Sequence, residues 1–92
     1  MRRIRWAPAA ADDLEEIRNH LREHHLSLAQ PTIQKLYDVA RSLKRFPNRG
    51  HIGHKEGTRE LIVASMPYII VYGVEPEMVH IFRVLHASRE RS

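Results

Sequence analysis

The chain contains no cysteine, only four glycines, and aromatic residues at 7% of its length. Without cysteine there are no disulfide staples, no thiol nucleophile and no thiolate-bound zinc, a usage that fits a reducing cytoplasm. No apolar run approaches the roughly 18 residues that a membrane-spanning helix needs. The opening Met1-Arg2-Arg3-Ile4-Arg5-Trp6 lacks the apolar stretch of a secretion signal, so neither membrane insertion nor export is expected. Gly-x-Gly-x-x-Gly, P-loop and Gly-x-Ser-x-Gly patterns are all missing, which removes support for nucleotide-cofactor and serine-hydrolase chemistry, and no cofactor is expected. What is there is ordinary for a folded chain: 42% hydrophobic and 28% charged residues over 92 positions. That length supports one core, hence a single domain over residues 1–92.

The net charge of +4 is localised. Residues 1–40 and 61–92 each balance acids against bases, whereas residues 41–60 carry Arg41, Lys44, Arg45, Arg49, Lys55 and Arg59 against Glu56 and Glu60. A positive field of this kind draws in a polyanion or an acidic protein, or serves only as a solvated face.

Apolar periodicity divides the chain at Pro47-Asn48-Arg49-Gly50-His51-Ile52-Gly53, which reads as a loop. Ahead of it, Ile4 and Trp6 alternate with arginines as in a short strand. Pro8 suits a first helical turn, Asp12, Asp13, Glu15 and Glu16 sit near that helix's positive pole, and Ala10, Leu14, Ile17 and Leu21 make one face. A second helix is expected from the capping-box spacing of Ser27 and Gln30, with Pro31 in about the first turn and Phe46-Pro47 as its end. Its face is Ala29, Ile33, Leu36, Tyr37, Ala40 and Leu43. Beyond the loop, the runs 61–64, 68–72 and 78–85 are β-branched and aromatic and are separated by hairpin-length turns. The expected fold is therefore α+β: two N-terminal helices packed on one face of a small antiparallel β-sheet, with the first strand at an edge.

Seven histidines raise the question of a metal. His20 and His24 share a helical face, but no glutamate follows His20 as a zinc-protease motif requires, and His51 and His54 are too sparse to define a site, so none is expected. The residues suited to chemistry are His51, His54, Lys55, Arg59, Arg83, His86 and Arg89, on the loop and the ends of the outer strands. Cleavage of RNA needs a base for the 2′-hydroxyl, an acid for the 5′-oxygen and cations for the phosphorane, and histidine and arginine supply these without a metal. The same set would equally dock a polyanion without reacting with it.

Three stretches carry a resemblance: Trp6-Ala7-Pro8-Ala9-Ala10-Ala11-Asp12-Asp13-Leu14-Glu15-Glu16-Ile17; Gly57-Thr58-Arg59-Glu60-Leu61-Ile62-Val63 with Pro67-Tyr68-Ile69-Ile70-Val71-Tyr72; and Val79-His80-Ile81-Phe82-Arg83-Val84-Leu85-His86. Together with Leu43, Pro47 and Gly50 they resemble, in order and over essentially the whole chain, the RelE/ParE superfamily of bacterial toxins. The resemblance implies the toxin of a type II toxin–antitoxin pair, a cognate antitoxin that covers its basic face, and growth arrest by one of two routes. RelE-like members cleave mRNA on the ribosome, and ParE-like members inhibit DNA gyrase. The first route, metal-independent and ribosome-associated, is the expected one and gyrase inhibition the alternative; its catalytic residues are expected to be His54, Arg59, Arg83 and His86, with Arg49, His51, Lys55 and Arg89 holding substrate. Two features depart from RNA-cleaving members: Tyr68 is followed by Ile69 rather than arginine, and no tyrosine lies near the C-terminus. The second route places the determinants on the helices, including Arg18, Arg22, Lys35 and Arg41.

Overall fold

The computed structural model describes residues 2–90, with side chains described as far as Ser88. A short strand β1 (Arg3–Trp6) leads into α1 (Pro8–His24) and α2 (Leu26–Ser42). Four strands follow, β2 (His51–Ile52), β3 (Arg59–Ile62), β4 (Tyr68–Val74) and β5 (Met78–His86), and then one helical turn, α3 (Ala87–Glu90). They form one five-stranded sheet in the order β1-β5-β4-β3-β2. β3, β4 and β5 are the expected antiparallel meander, with β4 central.

The sheet is mixed, which corrects the expectation of a wholly antiparallel one. β1 runs parallel to β5, with Arg3 beside Met78 and Trp6 beside Ile81. A parallel neighbour needs a long crossover, and the two helices provide it. β2 is a further difference: two residues of the expected loop pair with β3, His51 beside Glu60 and Ile52 beside Arg59.

Pro8 opens α1, where a missing N–H costs nothing. Asp12 and the acids after it lie beyond the first turn, so they do not serve the helix pole. α2 starts earlier than its capping-box spacing implies. His25 alone joins the helices, ending α1 and beginning α2 with φ −150° and ψ 65°, and no side chain caps α2. Pro31 therefore falls inside the helix. The helix stops at Ser42, whose carbonyl accepts from the N–H groups of both Arg45 (3.2 Å) and Phe46 (3.0 Å) as the chain unwinds ahead of Pro47.

The core lies between the helices and one sheet face. Ala10 and Leu14 of α1 and Ile33, Leu36, Ala40 and Leu43 from α2 and its end meet Leu61, Ile70, Tyr72, Val79, Ile81 and Val84, with Ile4 and Trp6 packed beside them. Tyr37, expected on the buried face, is half out, its ring edge-on to Trp6 at 5.2 Å. Neither long helix covers the opposite face, which carries Glu60, Ile62, Val71 and His80 by strand alternation. A bulge interrupts β5: Val71 pairs with Arg83 and Tyr72 with Ile81, leaving Phe82 as the extra residue. Phe82 lies stacked on His80 at 5.9 Å and fills the space over Gly73, where a Cβ would come within 2.8 Å of its ring.

Candidate functional site

The residues singled out by sequence fall at two places on the sheet. At the first, Glu60 of β3 is a buried carboxylate between Arg59 and the apolar Leu61. Its Oε2 accepts from the backbone N–H of His54 (3.2 Å) and lies 2.9 Å from the ring Nδ1, while Oε1 is 3.7 Å from Nε2 of His51. The side-chain hydrogen bond with His54 holds the Glu60 carboxyl below its ordinary range, against the opposing pull of burial. Both imidazoles stand at the surface over this anion, exposed by 80% for His54 and 59% for His51. When Nδ1 of His54 donates to the carboxylate, Nε2 is the basic nitrogen, an arrangement suited to proton transfer. Sequence reasoning passed over Glu60 as a site residue; its signal was a charge directly ahead of the apolar run 61–64.

Arg59 lies next to Glu60 but on the other side of the strand. Its Nη1 donates to the carbonyl of Gly50 at 2.7 Å. The same glycine's N–H donates to the Tyr72 hydroxyl (2.9 Å), and that hydroxyl donates to the Pro47 carbonyl (2.6 Å). Gly50 is required here, because a Cβ would meet the Glu60 carbonyl and the Tyr72 ring at 2.8 and 2.9 Å. Arg49 is exposed and donates to the Ser42 hydroxyl at 2.6 Å. Lys55 is exposed in the turn before β3, whose Gly57 has φ +81°, the left-handed backbone that glycine allows.

The second place is the end of β5. β1 stops at Trp6, and the last bond of that ladder runs from the Ala7 N–H to the Ile81 carbonyl at 2.9 Å. β5 continues without a strand on that side, and Asp13 of α1 takes over: its Oδ2 accepts from the Val84 N–H at 2.9 Å and from Arg83 Nε at 2.7 Å, and its Oδ1 from Arg83 Nη2 at 2.9 Å. Arg83 thus makes a two-pronged pair with a carboxylate whose side chain is 12% exposed. His86, opposite Tyr68, meets its ring edge-on at 5.6 Å. The Ser88 hydroxyl lies 2.7 Å from His86 Nδ1 and the Ser88 N–H donates to that nitrogen at 3.3 Å, which selects the tautomer protonated on Nε2. A groove of about 480 Å³ runs between this end of the sheet and α1, lined by Asp13, Glu16, His20, Glu23, Tyr68 and His86 among others. Burial raises the Tyr68 hydroxyl above its ordinary range.

His54 and Arg59 therefore belong to the β2–β3 side and Arg83 and His86 to the α1–β5 side. Glu60, Val71 and Arg83 stand in one row across three strands, so the two places are roughly 10 Å apart at the backbone. The guanidinium of Arg59 is turned into the loop and that of Arg83 toward α1. The side chain of Arg89 lies outside the described residues. His20 and His24 do share a face, their rings 4.6 Å apart. Among the described residues, no group of three or more histidine, aspartate and glutamate side chains is placed to hold a metal ion. Nor is any helix there long and apolar enough to cross a membrane.

Comparison with known proteins agrees with this architecture over its full length. Toxin RelE2 of Caulobacter vibrioides is 36% identical over 89 residues, covering 97% of this chain and 99% of that protein. Among solved structures, the chromosomal ParDE toxin–antitoxin system of P. aeruginosa superposes with a TM-score of 0.85 at 21% identity, covering 94% of this chain and 96% of the other. YafQ of E. coli superposes with a TM-score of 0.69 at 15% identity, over the whole of both chains. Residues 4–91 match the family described as the ParE toxin of the type II toxin–antitoxin system parDE, and with the two-helix, five-strand fold this establishes that the chain belongs to that toxin family, within the RelE/ParE superfamily.

Proposed function

We propose that this toxin is held inactive by a cognate antitoxin and arrests growth by binding its target, DNA gyrase, without cleaving nucleic acid. The observation that carries this reading is the placement of its cations. Cleaving an RNA phosphodiester requires base, acid and cation to converge within hydrogen-bond reach of one phosphate. Here Arg83 grips Asp13, Arg59 grips the Gly50 carbonyl, and the two imidazoles proposed as acid and base stand with different strands. Binding makes no such demand on geometry. The exposed cations Arg22 and Lys35, with Arg18 and Arg41 in helical ion pairs to Glu15 and Asp38, present a charged helical surface to a protein target. The antitoxin is supported by the family's two-component nature and by the solved complexes of YafQ with DinJ.

A second reading, ribosome-associated mRNA cleavage, rests on the His54–Glu60 pair. An imidazole oriented by a buried carboxylate is a general base in waiting; His51, paired with Glu60, and Lys55, next to His54 in the chain, would hold substrate, with Arg49 and Arg59 contributing from the adjoining loop and strand. In this reading Arg83 and His86 would have to act from β5, two strands away from Glu60.

Two assays run side by side separate these readings. The purified protein is added to a cell-free translation reaction, with primer extension on a defined mRNA, and to gyrase supercoiling plasmid DNA. Intact mRNA with blocked supercoiling is expected. New mRNA 5′ ends that vanish with His54→Ala, beside unimpaired gyrase, would replace binding with cleavage.

A further inference from the structure

A second groove, of about 380 Å³, lies where β1 meets α2, and its lining is Arg3, Ile4, Trp6, Tyr37, Arg41 and Lys44. That volume falls in the range of small-ligand sites, about 300–1,000 Å³. Every charged residue in the lining is a cation. Tyr37, Arg41 and Lys44 follow at i, i+4 and i+7, so they share one face of α2 and the turn that ends it, where the Lys44 N–H donates to the Arg41 carbonyl at 3.1 Å. Lys44 is half-buried, and among the described residues its ammonium has no hydrogen-bond or ion-pair partner. A cation held partly out of water gains more than an exposed one from an anion brought to it. Arg41 has Asp38 at 3.3 Å, but both side chains are exposed, so the pair is weak and the guanidinium can turn to a second anion. The floor is aromatic, the Trp6 and Tyr37 rings meeting edge-on at 5.2 Å with Tyr37 38% exposed.

We propose that this groove binds a nucleoside triphosphate, with the base against the Tyr37 and Trp6 rings and the phosphate chain along Arg41 and Lys44. A ring system at one end and concentrated negative charge at the other is what the lining complements. Aromatic side chains hold a base by stacking, whichever base it is. A guanidinium takes two phosphate oxygens at once, and an ammonium acts on the chain as a point charge. Spacing agrees as well: Tyr37 and Lys44 are seven residues apart on helical backbone, about 10 Å along the axis, which is the reach of a mononucleotide from its base to its outer phosphates. A single carboxylate would satisfy one cation and leave the rings bare. The inference rests on neither reading of the toxin's target, since it uses neither the Glu60 nor the His86 locality. Arg41 also belongs to the helical surface offered to gyrase, so the readout is binding to the isolated toxin and not growth arrest.

The probe is ATP, titrated without magnesium into the full-length, isotope-labelled protein at physiological salt, with adenosine and inorganic tripolyphosphate titrated in parallel. Backbone amide spectra locate the binding, and the fluorescence of Trp6, the only tryptophan in the chain, excited beyond the absorption of adenine, reports its strength. Saturable binding of ATP with a Kd below about 1 mM is expected, with perturbation centred on residues 3–6 and 37–44 and with Trp6 quenched. Adenosine and tripolyphosphate should each bind at least about tenfold more weakly, because each fills half of the groove. Lys44→Ala is expected to weaken ATP about tenfold while melting normally. Tyr37→Leu, which keeps the apolar floor and removes the ring, should bring ATP down to the affinity of tripolyphosphate and leave tripolyphosphate unchanged. The three-ligand series needs no variant and decides the question even where Tyr37→Leu does not fold. No saturation by about 5 mM ATP, tripolyphosphate binding as tightly as ATP, perturbation centred on Glu60 or His86, or tighter binding at these residues of a short RNA or a glutamate-rich peptide than of ATP would each overturn the proposal.

Discussion

Asp13 receives three hydrogen bonds, two from Arg83 and one from the Val84 peptide, and its two partners respond differently to losing it. Asp13→Ala leaves a part-buried N–H on β5 without its acceptor and is expected to lower stability by about 2 kcal/mol in chemical denaturation. Arg83→Ala keeps the Val84 bond and removes only a half-exposed guanidinium, so its cost should stay below about 1 kcal/mol. Equal losses in the two variants would mean that the ion pair, not the strand edge, is what Asp13 holds. Glu60 gives a pH-dependent counterpart. Its folded carboxyl ionises more readily than the ordinary value of 4.5 because His54 donates to it. The stability it contributes is thus present above that value and is lost as pH falls below it. Glu60→Gln should melt at a lower temperature than the parent at neutral pH, with the gap closing on acidification. Neither role could be seen from the chain alone. Asp13 and Arg83 are 70 residues apart, and nothing local marks them as partners; Glu60, beside Arg59, reads as a solvent-facing position, and only the loop carrying His54 buries it.

At the scale of elements, Tyr72 ties the segment before β2 to the centre of the sheet. Its hydroxyl, fully buried, bonds both Gly50 and Pro47. Tyr72→Phe preserves the ring and strips both bonds, at an expected cost of about 2 kcal/mol, with faster amide exchange at Gly50 and in β2 than elsewhere. Uniform acceleration over the whole sheet would show that the loop is held by other contacts. The elements themselves were largely legible. Ala10, Leu14 and Leu21 on α1, and Ile33, Leu36 and Ala40 on α2, are buried as their spacing implies, and the meander follows its β-branched runs. Boundaries were less so. Pro31 reads as a start signal, yet α2 begins at Leu26 because α1 passes into it through the single residue His25. β2 was missed because two residues between prolines and glycines carry no period, and only the Glu60 neighbour on β3 makes them a strand.

For the molecule as a whole, the helix pair and the sheet share one apolar interior, and Leu36 sits in it with no exposed surface. Leu36→Asp places a carboxylate there without a partner, a change too large for a domain of this size to absorb. The expected result is loss of the cooperative thermal transition, not a shifted one; a sharp melt near the parent temperature would remove Leu36 from the centre. The sequence-level picture of this interior was sound because hydrophobic period is a local property. Strand direction is not. Nothing in Arg3-Ile4-Arg5-Trp6 distinguishes a parallel from an antiparallel neighbour, and the distinction arises only once two helices intervene. The candidate site was the least legible part for the same reason: histidine and arginine announce their chemistry, but the direction in which each is turned depends on strands far along the chain.

The pairing of β1 with β5 also sets a timetable. Arg3 leaves the ribosome ahead of both helices and three other strands, and its neighbour Met78 only after them. Contacts this distant in sequence form slowly and late. Until β5 is complete, Asp13 has no Val84 to accept from and the helices have only part of their sheet to rest on, so the nascent toxin exposes the apolar faces of α1 and α2. The interval between synthesis and competence is written into the order of the strands.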